Sequence, residues 1–299
     1  MRLRAVAALA AVGLPLLTVA GPAPASYAAS TCQGRPATIE ASSGVVTGTA
    51  GDDVIVTSGP EVSVDALGGN DLVCVVGGQV STGDGDDTVV SAAPARALTV
   101  VRLQGGDDRY TSTRAGRSRV HVSEVTGVHV DLGPGGGDVW LDHTTTAGTG
   151  SVDFGDEEGR LFALGEVEAH VDLQHHRAGV DGLLSVRIDN VYDATASGRY
   201  VRVNGNAFKN RLAASGCDVV VRGGEGRDVL SLLRGGSDRA APGCPRREAQ
   251  SVLRGGGGPD RLLGQTSDDV LAGGSGRDVA DGRGGRDRCL AEVERRCET

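Results

Sequence analysis

Four consecutive nine-residue segments between Gly255 and Leu290 carry aspartate at the same place, with no insertion between them. They read GGGGPDRLL, GQTSDDVLA, GGSGRDVAD and GRGGRDRCL, with Asp260, Asp269, Asp278 and Asp287 at the sixth position. Two positions further on stands an apolar or small residue: Leu262, Leu271, Ala280 or Cys289. A unit this short cannot enclose a hydrophobic core. It can supply one turn and one strand of about three residues, so its stability must come from stacking on its neighbours.

The same register recurs upstream. Residues 223–231, GGEGRDVLS, match it fully, and residues 82–90, TGDGDDTVV, match with one substitution. Partial copies lie at 48–56, 66–74, 103–111 and 133–141. Residues 205–213 form an eroded copy with Asn210 at the aspartate position. Composition agrees with a thin, repeated core. Glycine occurs 48 times, whereas the chain has only 3 Phe, 4 Tyr, 1 Trp and 1 Met. The glycine lacks a Gly-X-Y period, which excludes collagen.

This pattern resembles the RTX, or haemolysin-type calcium-binding, nonapeptide GGxGxDxUx. The resemblance implies an all-β fold, a right-handed parallel β-solenoid with glycine-aspartate corners, in which two units make one coil. Residues 18 apart, such as Asp53 and Asp71, then lie one above the other. Glycine permits positive φ in the tight turn. Aspartate supplies a hard anionic oxygen suited to calcium, which takes six to eight oxygens at about 2.3–2.6 Å.

The resemblance further implies calcium ions (Ca2+) held between a loop and the loop two units later. Asp260 then faces Asp278, with carbonyls from Gly256, Gly258, Gly274 and Gly276. Asp269 faces Asp287, whose turn contains Gly285. Asp53, Asp71 and Asp87 are candidate ligands in the N-terminal copies. Asp228 is a weaker one, because its expected neighbour is Asn210.

Residues 1–28 read as a signal peptide. Arg2 and Arg4 precede an apolar stretch from Ala5 to Ala20, and Ser26-Tyr27-Ala28 has the small residues that cleavage requires. The expected setting is therefore secreted and extracellular, with no membrane span after removal of the signal. Six cysteines in an exported chain suggest disulfides, for which about 15 pairings exist. The simplest is sequential: Cys32 with Cys74, Cys217 with Cys244, Cys289 with Cys297. A formal charge of −9 without a dense basic run argues against nucleic acid as a partner.

The expected organisation is an N-terminal RTX-like solenoid at 29–111 and a degenerate β-helix-like middle at 112–204. C-terminal repeats follow at 205–290, with an insertion at 240–251, and then a disulfide-closed cap at 291–299. The middle lacks the glycine corners but shows period-two alternation at Val120–Val122, Val128–Leu132, Val167–Leu173, Leu184–Ile188 and Tyr200–Val203. It is expected to continue the solenoid with wider coils, the alternative being a separate sandwich. The cap is expected to contain a short helical turn.

No G-x-S-x-G, HExxH or Cys-His arrangement is present. His175-His176 near Asp172 and Glu168 reads as a solvated loop, His143 beside Asp142 has no defined partner, and the acidic run Asp156–Glu158 reads as a solvated turn. The expected protein is thus a calcium-binding one and not an enzyme. The other readings are a carbohydrate-active β-helix enzyme and an adhesin-like module contacting a cell surface or polysaccharide.

Overall fold

A computed structural model describes residues 30–233 and 250–298. It is a parallel β-solenoid of about 12 turns with almost no helix. Each coil gives one strand to a 15-stranded sheet and one to a 13-stranded sheet. The chain crosses from the 15-stranded to the 13-stranded sheet along one edge, the outbound edge. It crosses back along the opposite, return edge.

Period-two alternation fills the thin space between the sheets. In the 13-stranded sheet Val80, Val101, Val120, Val139, Leu161, Ala194, Leu212, Leu230, Leu262 and Ala280 stack in register. Facing them, Ile55, Val73, Val89, Tyr110, Val130, Val152 and Ile188 form the matching row of the other sheet. Tyr110 is fully buried and can be tolerated there because its hydroxyl lies 2.7 Å from Ser118 Oγ.

The middle continues the solenoid with wider coils. The register advances from Val101 to Val120 and from Val139 to Leu161, longer steps than from Leu262 to Ala280. One departure was not foreseen. Glu168–Asp172, Arg177–Val180 and Leu184–Asp189 form an antiparallel meander that adds two strands to the 15-stranded sheet only. Across from it, Arg160–Leu164 pairs directly with Asp193–Ser197.

Both ends are closed. Thr31–Cys32 and Arg35–Pro36 form an antiparallel pair, tied by the Cys32–Cys74 disulfide to Leu72–Val75. At the other end Cys289 bonds to Cys297, as expected. The expected helical turn there is instead a strand, Val293–Arg295, parallel to Val279–Asp281. The exposed edge of Val279–Asp281 offers backbone hydrogen bonds that a helical turn would leave unused. The signal peptide, Cys244 and most of the insertion at 240–251 lie outside the described residues. Cys217 is buried.

Candidate functional site

The sixth-position aspartates stand at the corners and form ladders along the two edges. On the outbound edge the backbone N–H of each residue donates to the carboxylate one coil further on. Asn210 donates to Asp228 Oδ1 at 2.8 Å, Asp228 to Asp260 at 2.8 Å and Asp260 to Asp278 at 2.9 Å. Asp278 donates to Glu292 Oε2 at 2.8 Å, which ends the ladder. On the return edge Asp269 donates to Asp287 at 2.9 Å and Asp287 to Glu298 at 2.6 Å.

A third ladder runs through the N-terminal coils on the return edge. Asp53 donates to Asp71 Oδ1 at 2.8 Å, Asp71 to Asp87 at 2.8 Å and Asp87 to Asp108 at 3.1 Å. The sequence-level pairs Asp260 with Asp278, Asp269 with Asp287 and Asp53 with Asp71 are therefore juxtaposed. Asp228 is better placed than its spacing suggests. Asp218–Glu225 pairs directly with Gln250–Gly257, so Asp228 stacks on Asp260 as well as on Asn210.

Each ladder uses only one carboxylate oxygen. The Oδ2 atoms of Asp71, Asp87, Asp108, Asp228, Asp260, Asp278 and Asp287 are buried without a hydrogen-bond partner. A buried unpaired carboxylate oxygen is costly, and native proteins rarely leave one. The ladder ends differ. Asp53 Oδ2 accepts the Thr49 N–H at 2.8 Å, and Asp269 Oδ2 accepts the Gln265 N–H at 2.7 Å.

The first glycine of each unit shapes the space beside these oxygens. A Cβ on Gly255 would collide with Asp260 Oδ2 and the Gly273 carbonyl, and one on Gly282 would collide with Asp287 Oδ2 and the Arg296 carbonyl. Gly256, Gly258, Gly274, Gly276 and Gly285 all have positive φ, as the turn demands. Gly256 pairs in register with Gly274, and a Cβ on Gly276 would meet the Gly258 carbonyl, so corresponding turns stack coil on coil.

Ionisation is strained along the ladders. Burial first, then the neighbouring carboxylates, pushes Asp71, Asp87, Asp260 and Asp287 up to about 6. Burial and the charges of Asp87, Asp107 and Asp86 push Asp108 to about 8, against the N–H donated by Asp87. Burial also raises Asp228 and Asp269. Asp53 departs from this: burial opposes its charge, but hydrogen bonds from Thr49 and Thr38 outweigh it and hold the carboxyl below the usual range.

These donors fit a hard divalent cation: buried anionic oxygens without protein donors, lined by glycine turns. Among the described residues no group of three or more His, Cys, Asp or Glu side chains converges on one point. Main-chain oxygens would have to complete any shell. Residues 204–237 and 254–289 match the family of RTX calcium-binding nonapeptide repeats, in four copies. This segment is an RTX repeat array. No curated protein matches the chain. RTX repeats imply calcium binding, and together with the solenoid fold they support a calcium-binding repeat protein.

Sequence reasoning missed three members of the RTX-type ladders. Asp108 holds the sixth position of the unit at 103–111 and could have been found by register alone. Glu292 and Glu298 carry no periodic signal, because the cap brings them in from outside the repeat. A second, outer ladder was also missed. Asn70 donates to Asp52 Oδ1 at 2.8 Å, Asp86 to Asn70 at 2.8 Å and Asp107 to Asp86 at 2.7 Å. Its signal was the acid or amide at the fifth position of each N-terminal copy.

The histidines lie away from the ladders. His175 and His176 sit in the turn between Glu168–Asp172 and Arg177–Val180, as the loop reading expected. His143 has a partner that sequence could not reveal, Asp181 Oδ2 at 2.6 Å on the meander. Asp156–Glu158 is exposed.

Proposed function

We propose that the protein works outside the cell as a solenoid whose edges are held together by calcium. The observation that carries this reading is the row of buried aspartate oxygens without donors, repeated coil after coil. Asp260 with Asp278 and Asp269 with Asp287 would hold the ion in the RTX array, with Asp228 joining through Asp260. Gly256, Gly258, Gly274, Gly276 and Gly285 form the turns that would offer carbonyls. Asp53, Asp71 and Asp87, with Asp108, form the N-terminal counterpart.

Bound calcium would supply positive charge and oxygen coordination where the protein supplies neither. Without that charge, mutual repulsion of the carboxylates opposes stacking. An ion that binds only the folded array stabilises it by mass action. Extracellular calcium modules work with dissociation constants of roughly 10⁻⁴–10⁻³ M, so modest affinity is enough. The reading assigns no catalytic step to the chain.

The test is far-UV circular dichroism of the chain freed of residues 1–28 and treated with EDTA. Titrated calcium should increase β signal and melting temperature, and magnesium should not. An unchanged spectrum and melting temperature across the titration would sink the reading and leave the repeats as corners of a solenoid stable by itself.

A further inference from the structure

The meander does more than lengthen one sheet. Three clefts adjoin along the 15-stranded side. The first, about 530 Å³, includes His175, His176, Arg177, Ser185 and Arg187. The second, about 280 Å³, shares His176 and adds Gln174, Tyr192, Asn206 and Phe208. The third, about 370 Å³, shares Gln174 and Asn206 and runs to Glu225 and Ser275 beside the RTX turns. From Gly148–Asp153 to Asp269–Ser275 this run crosses eight adjacent strands. At about 4.8 Å per strand spacing it is roughly 34 Å long. A groove of that length suits an extended polymer.

We infer that this groove binds an oligosaccharide chain, with an acidic sugar at the Arg177 end. Two independent features support the ligand class. At the centre, Tyr192 and Phe208 are 43% and 62% exposed, in a chain where aromatics are only 3% of residues. Their rings meet edge to face at 5.6 Å, which leaves ring faces open. Exposing such rings costs about 25 cal/mol per Å² of apolar surface. A sugar offers a C–H face to cover a ring and hydroxyls for the amides of Gln174 and Asn206 around it. Asn206 Oδ1 holds the Phe208 N–H at 2.9 Å, which presents the ring on a fixed turn.

At the meander end Arg177 stands in antiparallel register between Asp172, whose carboxylate engages His175 at 3.0 Å, and Arg187. Like charges so placed repel. Arg187 is neutralised by Asp189 at 2.9 Å. Arg177 has no ion pair among the described residues. Its guanidinium is free to take a carboxylate or sulfate in two parallel hydrogen bonds. His175 and His176 flank it with Nδ1 engaged by Asp172 at 3.0 Å and Asp189 at 3.1 Å, which leaves each Nε2 for the ligand. His176 holds a positive φ of 56°, a conformation that side chains rarely adopt, at this same point.

The test is calorimetric titration of the calcium-loaded chain with three probes. They are a hexasaccharide alternating uronic acid and neutral sugar, its carboxyl-reduced form, and a glutamate hexapeptide. The acidic hexasaccharide should bind at least tenfold more tightly than its reduced form, and the peptide should not bind. Arg177→Ala should weaken the acidic form at least tenfold and the reduced form less than twofold. Phe208→Ala should weaken both about tenfold, and Phe208→Leu should do the same if a folding defect is not the cause. An unchanged melting temperature in each variant confirms folding. No binding of either sugar, equal loss of both forms in Arg177→Ala, or binding of the peptide as tight as the sugar would each overturn the inference. The calcium response of melting is read separately, so the two readings can fail independently.

Discussion

The N-terminal ladder and the C-terminal outbound ladder share one hydrogen-bond scheme but differ in what surrounds it. In the N-terminal copies the fifth position is Asp52, Asn70, Asp86 or Asp107, so a second polar ladder flanks the buried one. On the outbound edge the fifth position is Arg227, Pro259 or Arg277. The turns differ too. Gly224 with Gly226, Gly256 with Gly258 and Gly274 with Gly276 give complete pairs at the second and fourth positions, whereas in the N-terminal copies only Gly83 with Gly85 does so. In both arrays the sixth-position aspartate builds the ladder, whereas Asp138, at the sixth position of 133–141, is held by Arg160 instead. The fifth position then sets the ladder's charge, and the second position sets the ease of its turn.

The largest expected effect separates the two arrays by their response to calcium. Replacing Asp260 and Asp278 by Ala should remove more of the calcium-linked rise in melting temperature than replacing Asp71 and Asp87. At a hundredfold excess over the dissociation constant, one site is worth about 2.7 kcal/mol. An equal loss from both pairs would mean that complete glycine turns do not matter and would erase the distinction.

Asp108 sharpens the electrostatic side. It closes the N-terminal ladder, fully buried, beneath three other carboxylates. Asp108→Asn should stabilise the calcium-free protein at pH 8, on the order of 1–2 kcal/mol, by removing a buried charge while keeping an acceptor for the Asp87 N–H. Denaturant titration with and without EDTA measures it. Destabilisation of the calcium-free protein would count against the charge argument.

The pH dependence has a definite sign. A carboxyl raised in the folded state binds protons there that the unfolded chain has already lost. Below the ordinary carboxylate value both states are protonated and nothing is lost. Calcium-free stability should therefore fall as pH rises from about 4 to about 6, through Asp71, Asp87, Asp260 and Asp287. It should fall further toward pH 8 through Asp108. His143, raised by its hydrogen bond to Asp181, adds a slope of the same sign, so Asp108→Asn should reduce the upper slope without abolishing it. Saturating calcium should flatten the part of the profile due to the ladder carboxyls and leave the His143 slope, and melting curves across pH in both conditions check this.

The smallest effect concerns turn geometry. Leu67 and Arg283 occupy the second position of their units yet have φ of 75° and 72°. Each should gain roughly 0.5–1 kcal/mol on replacement by glycine, since the left-handed conformation costs about 1–2 kcal/mol and part is offset by chain entropy. Arg283→Gly should gain as much as Leu67→Gly if both turns are held by the same stacking. Thermal unfolding resolves the two.

The nonapeptide register in the sequence was sufficient for the parallel solenoid and the facing pairs Asp260–Asp278, Asp269–Asp287 and Asp53–Asp71. It was sufficient because a repeat forces each unit into the environment of the one before, so a local pattern carries long-range information. Alternation likewise exposed the strands of the middle, since a half-buried strand must alternate. Where the repeat stops, that information stops. The meander depends on antiparallel pairing within 168–189, which alternation alone cannot distinguish from a further coil. Glu292 and Glu298 reach the ladders only because the final strand adds to an open sheet edge in place of a helical turn. Asp228 reaches Asp260 because Asp218–Glu225 pairs with Gln250–Gly257 and Val229–Leu232 with Arg261–Leu263, a register that the 32-residue spacing does not reveal. The two ladders lie on opposite edges because each coil turns twice, and only the folded chain decides at which turn an aspartate falls.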